Sequence, residues 1–149
     1  MQRARTAARL ILPAGWLGII IGISLIEAPL KFQAPGITIP LGLGIGRLVF
    51  TAMNIVELVI AALLLLSCVR AGVDRRFRGL LWGAVGVLLV KVAVIRPLLN
   101  QETDRVLAGL SQGGSATHLF YIAADGVLII LLVLLLAAGA RRWLPAGTR

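Results

Sequence analysis

Apolar residues occupy four long stretches of the chain, separated by short segments that are rich in polar residues, glycine or proline. Each stretch has about 20 residues or more, the length that an α-helix needs to cross a hydrocarbon core roughly 30 Å thick. The pattern therefore predicts transmembrane helices over about 10–30, 46–69, 79–99 and 117–140. We expect an all-α fold, a polytopic integral membrane protein whose 149 residues form a single bundle of four transmembrane helices.

The segments between the predicted helices differ in character. Residues 31–46 are rich in proline and glycine but too apolar for a solvated linker. They predict a loop folded onto the membrane surface, or a re-entrant segment sheltered by protein. Residues 100–116 form the most polar connection and predict a short helix that ends at Gly113–Gly114.

The start of the chain allows two interpretations. Residues 1–9 carry three arginines and precede the apolar run 10–30, an arrangement that is also typical of a secretory signal. The run is long for the apolar core of a signal, and it lacks a clear A-x-A cleavage site. It therefore favours an uncleaved transmembrane helix.

Composition supports a membrane protein and argues against nucleic acid as a partner. Hydrophobic residues make up 59% of the chain and the mean hydropathy is +0.98, well above a typical soluble domain. The net charge is +9, but the basic residues flank apolar segments instead of forming a soluble basic face. The expected partner is the lipid bilayer. A single cysteine, Cys68, excludes an internal disulfide and a cysteine-based metal cluster.

The basic residues also predict an orientation. The N-terminal segment, the middle connection and the C-terminal segment contain ten of the 15 Lys and Arg residues, and all three should lie on one side. Short basic loops stay in the cytoplasm. We therefore expect a multi-pass protein of the cell (inner or plasma) membrane with both termini in the cytoplasm.

We single out nine polar residues within the apolar stretches, and in this orientation all nine lie in the outer halves of the helices. At ~1.5 Å per residue, four of them would form a layer roughly 12–18 Å below the outer surface, and five a shallower ring. The deeper layer comprises Asn54, Glu57, Lys91 and Asp125, and the ring Glu27, Arg47, Arg96, His118 and Tyr121. We predict a polar site open to the outer face, above a dry apolar half.

Helical spacing places Arg47, Thr51, Asn54 and Glu57 on one face of the second helix. His118, Tyr121 and Asp125 likewise share a face of the fourth helix.

Two interpretations of the nine residues remain open. In the first, Glu57 or Asp125 pairs with Lys91, and Glu27 with Arg47 or Arg96, as a salt-bridge network that fixes helix register. In the second, the groups line a cavity that binds a small ligand, ion, proton or cofactor, as intramembrane ionisable residues usually do.

The sequence identifies no cofactor. His118 with Asp125 and Glu57 could bind a divalent metal, and His118 alone could ligate haem. However, there is no paired-histidine motif, and nearby Lys and Arg residues compete for the carboxylates. Nucleophile-elbow and phosphate-loop patterns are also missing from the sequence, so no catalytic residue is assigned.

Three short motifs resemble a known group of proteins. EAPLKF at 27–32, GRLVF at 46–50 and the LFY that follows His118 are similar to segments of small bacterial four-helix membrane proteins of the transmembrane-protein-205-like and copper-resistance-D-like groups. The matching positions are Pro29, Phe32, Gly46, Arg47 and His118. The resemblance implies the four-helix fold. With one histidine and two methionines, the chain lacks the additional His and Met residues that a copper pathway implies.

The function that the sequence favours is binding or translocating a small polar or ionic solute. The protein should act as a homo-oligomer, because four short helices enclose little volume alone. One alternative is a membrane-embedded enzyme, or a redox or metal protein, that uses His118 with Asp125 and Glu57. The other is a structural accessory subunit, which needs only the salt-bridge network.

Overall fold

The computed structural model describes residues 2–69, 72–111 and 116–143. It is 90% helical, with no strand in these ranges. Four helices are long and apolar enough to cross a membrane, and we refer to them as the first to fourth spans. They are Arg3–Gln33, Ile39–Cys68, Arg75–Leu107 and Ala116–Trp143. The predicted all-α architecture with four membrane-spanning helices is confirmed.

The spans run alternately up and down and form a ring, in which each packs against the next and the fourth packs against the first. At one end, Arg9 of the first span donates from Nη2 to the Ser67 carbonyl oxygen at 2.6 Å and lies over the Trp143 ring. Phe77 packs edge-to-face on the same Trp143 ring. We call this the arginine-rich end. The connections after the first and third spans lie at the opposite end.

The second span begins seven residues earlier than the sequence predicted, so the prediction of a long loop over 31–46 is wrong. A 3-10 turn at Lys31–Gln33 ends the first span, and the second begins at Ile39. Thr38 caps it by accepting from the backbone N–H of Leu41. Pro40 lies in the first turn, where no backbone hydrogen bond is lost. A Cβ atom at Gly42 would overlap the Phe32 ring, so glycine here permits close packing.

The third span also exceeds its predicted bounds. It continues through Arg96–Pro97 as a helix to Leu107, where the sequence predicted an exit near 99 and a separate short helix. Gly109, with a φ of +73°, follows the end of this helix; its freedom to adopt a left-handed backbone explains the stop. The predicted terminator, Gly113–Gly114, lies outside the described residues.

The first and third spans contain π-helical segments, Ile21–Glu27 and Lys91–Ile95. In each span a proline follows two residues after the segment, at Pro29 and Pro97. Proline lacks an N–H, and its ring clashes with the carbonyl four residues earlier. The wider π turn bonds five residues back instead. The two prolines therefore explain why the helices adopt π-helical geometry here. Two of the polar residues described below, Ser24 and Lys91, belong to these segments.

The core between these segments and the arginine-rich end is apolar. Its fully buried side chains come from every span and include Ile20, Leu64, Leu81, Leu88 and Leu132. In this half of the bundle, the buried polar residues among those described are Arg9 and Ser67, and both lie at the arginine-rich end. The dry half that the sequence predicted is therefore present in the fold.

Candidate functional site

Three charged side chains meet in the middle of the bundle. The Nζ atom of Lys91 lies 2.7 Å from Oδ1 of Asp125 and 2.7 Å from Oε2 of Glu57. It also donates to Oε1 of Glu57 at 2.9 Å. The Lys91 and Glu57 side chains are 0% exposed and that of Asp125 is 2% exposed. We call these three residues the charge triad. The sequence expected Glu57 or Asp125 to pair with Lys91, and the structure brings both to it.

Two neutral donors also form hydrogen bonds with the carboxylates of the triad. Trp16 Nε1 donates to Glu57 Oε1 at 2.9 Å, and Ser24 Oγ donates to Asp125 Oδ2 at 2.6 Å. Both donors belong to the first span, so all four spans contribute to the site. The resulting set of contacts orients each carboxylate and lysine in a volume that excludes solvent.

Tyr121 and Asn54 form a second buried pair beside the triad. The Tyr121 hydroxyl donates to Asn54 Oδ1 at 2.9 Å. The ammonium group of Lys91 lies 5.2 Å from the centroid of the Tyr121 ring, within range of a cation–π interaction. Phe50 packs edge-to-face against the same ring. Tyr121 therefore belongs with the deep polar layer, whereas the sequence had assigned it to the shallow ring.

The shallower cations have partners that the sequence did not predict. Arg96 Nη2 donates to the Arg47 carbonyl oxygen at 2.6 Å and to Thr51 Oγ1 at 3.2 Å. Arg47 Nη2 donates in turn to Asp104 Oδ1 at 2.5 Å and to the Asn100 carbonyl oxygen at 3.1 Å.

The predicted pairing of Glu27 with Arg47 or Arg96 is wrong. Glu27 pairs with Lys31, with 3.3 Å between its Oε2 and the lysine Nζ. Lys31 lies four residues on, and residues at this spacing are neighbours on a helix surface. The acid therefore has a nearby partner in its own span.

His118 lies apart from these contacts. It is two helical turns from Asp125 on the fourth span, and its side chain is exposed. The part of the chain that the structure describes holds no group of three or more His, Cys, Asp and Glu residues that could bind a metal ion. His118, Asp125 and Glu57 are thus not assembled into the metal site that the sequence considered.

The charge triad is unbalanced. Two carboxylates share one ammonium group, so the three groups carry a net charge of minus one when all are ionised. No second cationic side chain pairs with Glu57 or Asp125 in the described ranges. An uncompensated charge is costly in a low-dielectric interior. One proton on a carboxyl group, or one additional small cation, would make the triad neutral.

The triad is closed in this structure, because its side chains are at most 2% exposed. Two described cavities lie elsewhere: one at the arginine-rich end, and an apolar one of about 460 Å³ between the third and fourth spans. Polar contacts continue from the triad toward the opposite end only. They form two sets, Tyr121 with Asn54 and Arg96 with Arg47. The apolar ring of Phe50 lies between the sets, packed against Tyr121 and below the Arg96 guanidinium group.

Trp16 and Ser24 were missed by the sequence analysis. Trp16, Ile20 and Ser24 are spaced four apart, so they share one face of the first span. Trp16 and Ile20 are fully buried. A tryptophan in the middle of a span carries an N–H that needs an acceptor when buried. The sequence could therefore have predicted that Trp16 donates a hydrogen bond to a buried polar group.

Comparisons with protein-family models, with curated proteins and with solved structures found no match for this chain. What the protein does must therefore be inferred from the charge triad and the helices that hold it.

Proposed function

We propose that the protein binds and translocates a small cation, in the first place a proton, through the charge triad. The observation that carries this proposal is that Glu57 and Asp125, both buried, share the single ammonium group of Lys91. Ionisable residues inside a membrane segment are rare and commonly belong to ion pathways or proton relays. Here two carboxylates face one ammonium group, so one more positive charge would make the triad neutral.

The lack of space around the triad favours a proton over a larger solute. Lys91 contacts both carboxylates directly, and Trp16 and Ser24 each donate one more hydrogen bond to them. A proton needs no cavity, since it binds to an existing carboxylate oxygen. A metal ion or an organic cation would first have to displace the lysine side chain.

The polar groups on one side of the triad give the cation a route. On the side toward the opposite end lie two polar pairs, Tyr121 with Asn54 and Arg96 with Arg47, and the Phe50 ring separates them. The other side is packed with apolar side chains. We propose that the cation reaches the triad from the opposite end, and that passage to the arginine-rich end requires a second conformation.

The π-helical segments are the proposed moving parts. Ser24 lies within the first segment and Lys91 begins the second. π-Helical turns are uncommon and frequently occur at functional sites. A local return to α-helical geometry would rotate Lys91 relative to Asp125 and loosen the contact that closes the triad.

We further propose that the arginine-rich end faces the cytoplasm of the cell membrane, since arginine-rich short loops remain on that side. In this orientation, the polar half of the bundle opens toward the outer face, and cation uptake starts from there.

Flux measurements in liposomes test the proposal. The purified chain is reconstituted with a pH-sensitive dye inside, and a proton gradient is imposed together with a potassium diffusion potential. We expect acidification well above that of empty liposomes. Asp125→Asn should lower the initial rate at least tenfold, because the remaining Lys91–Glu57 pair is neutral and no longer needs a proton.

Glu102→Gln is the matched control, because Glu102 is an acid that pairs with Arg105 of its own helix and belongs to neither the triad nor the proposed route. It should retain the parental rate. If the parent protein is indistinguishable from empty liposomes with protons, Na⁺ and K⁺ alike, the translocation proposal is wrong. The triad would then serve only to hold the four spans in register, as an accessory subunit would require.

A further inference from the structure

A second cavity lies far from the triad, at the arginine-rich end. It has a volume of about 500 Å³ and lies between the start of the third span and the end of the fourth. Arg76, Arg141 and Arg142 line it, together with Asp74. All four residues are exposed. The cavity therefore presents three guanidinium groups at the level where the spans leave the apolar region.

Acids of the chain compensate only part of the positive charge of this cavity. Asp74 is the single acidic residue near it; the remaining five belong to the triad or lie toward the opposite end, and they are Glu27, Glu57, Glu102, Asp104 and Asp125. Across the described ranges, no salt bridge joins Arg76, Arg141 or Arg142 to a carboxylate. Their charges are available to an anion from outside the protein.

The wall of the cavity changes from apolar to basic along the fourth span. Leu134, Ala137, Ala138 and Arg141 follow at spacings of three, one and three, so they form one stripe on the helix. From Leu134 to Arg142 the helix rises ~12 Å, at 1.5 Å per residue. The small alanine side chains leave space beside the helix, directly below the arginines. An elongated ligand in this cavity would contact apolar side chains along most of its length and arginine side chains at one end.

We infer that this cavity binds the phosphate-bearing headgroup of an anionic phospholipid, with an acyl chain along the alanine stripe. Guanidinium groups form charge-assisted, often bidentate hydrogen bonds with phosphate oxygens. Basic pockets between transmembrane helices at a membrane surface select such headgroups. The apolar wall distinguishes this occupant from a free phosphate ion, which would use the arginines but not the stripe.

Thermal unfolding of the full chain in a neutral detergent tests the inference. Dioleoyl phosphatidylglycerol should raise the melting temperature in a saturable way. Dioleoyl phosphatidylcholine and inorganic phosphate should not, because the first carries a compensating positive charge and the second has no acyl chain. In Arg76→Gln/Arg141→Gln, the half-saturating concentration of phosphatidylglycerol should rise roughly tenfold or more, since each arginine near an anionic headgroup contributes ~1 kcal/mol.

Two further variants separate a specific site from general attraction. Arg75→Gln/Arg78→Gln removes the same charge from exposed arginines that do not line the cavity, and it should keep the parental response. Ala137→Phe leaves the charge unchanged but fills the cavity, and it should weaken lipid stabilisation. An equal response to phosphatidylcholine, a full response to inorganic phosphate, or an equal loss in the control double variant would each overturn the inference.

Discussion

The indole Nε1 of Trp16 donates a 2.9 Å hydrogen bond to Oε1 of Glu57. The same oxygen accepts from Lys91, and both the tryptophan and the glutamate are completely buried. Trp16 belongs to the half of the first span that leads to the arginine-rich end, so its ring packs in the apolar core while its N–H satisfies the acid. One side chain thus covers the apolar side of the charge triad and gives Glu57 a neutral donor in addition to Lys91.

Trp16→Phe should destabilise the protein, because it removes the indole donor while keeping an aromatic ring in the core. Hydrogen bonds to charged groups contribute about 1.5–3 kcal/mol, and we expect a loss of that size in the free energy of unfolding. The measurement is chemical or thermal unfolding in detergent. Trp82→Phe is the control, since Trp82 is 59% exposed and should leave stability nearly unchanged. Equal effects of the two substitutions would refute a structural role for the Trp16–Glu57 contact.

The stability lost on substitution in the charge triad should depend on the net charge that remains buried. Lys91→Met leaves two buried carboxylates without a cation, and we expect it to cost about 3–5 kcal/mol, the range for breaking a buried ion pair on one side. Asp125→Asn should cost much less, because it leaves the neutral pair of Lys91 and Glu57. Adding Asp125→Asn or Glu57→Gln to Lys91→Met should partly restore folded yield and melting temperature. If both double variants are no better than Lys91→Met alone, the three groups do not act as partners.

Two neighbouring residues of the fourth span should behave differently. Tyr121→Phe removes the donor to Asn54 Oδ1 in a buried position, and we expect a loss of about 1–3 kcal/mol, the penalty for an unsatisfied buried polar group. His118→Ala changes an exposed side chain and should leave the melting temperature unchanged. Circular dichroism during heating distinguishes the two. A larger effect for His118 than for Tyr121 would contradict the assignment of Tyr121 to the buried layer.

Orientation can be checked by labelling. In a Cys68→Ser background, cysteine is introduced at exposed positions on the two ends of the bundle, as Leu110→Cys and Gly72→Cys. With the arginine-rich end in the cytoplasm, an impermeant thiol reagent added to intact cells should modify the cysteine at 110. The cysteine at 72 should react only after the cells are permeabilised. The opposite result would reverse the proposed direction of cation uptake.

The number and type of helices could be predicted from the sequence because hydropathy over some 20 residues outweighs local signals. The helix bounds were less accurate where proline and glycine were taken as loop residues. Pro40 occupies the first turn of a helix, and Pro97 follows a π-helical segment. A proline is accepted at both positions because its missing N–H breaks no hydrogen bond there. This depends on the geometry of the neighbouring helical turns, which amino-acid composition does not reveal.

The triad was partly predictable for a different reason. Lys91, Glu57 and Asp125 have few possible partners at their depth in the membrane, so charge and helix length were sufficient to bring them together. The pairing of Arg47 was not predictable in this way. Its partner, Asp104, belongs to a segment that was assigned to a connection, while the third span continues far enough to carry it to Arg47.

The dry half of the bundle has an electrical consequence. Glu57 and Ser67 are ten positions apart in one helix, about 15 Å at 1.5 Å per residue, or roughly half of a 30 Å hydrocarbon core. A single charge that crosses the whole membrane gains ~2.3 kcal/mol per 100 mV. A cation moving between the triad and the arginine-rich end therefore crosses about half of that drop, ~1.2 kcal/mol per 100 mV. For a cation bound as proposed, occupancy of the triad from that side would change roughly sevenfold for each 100 mV. A membrane voltage would then act on this site as directly as the cation concentration does.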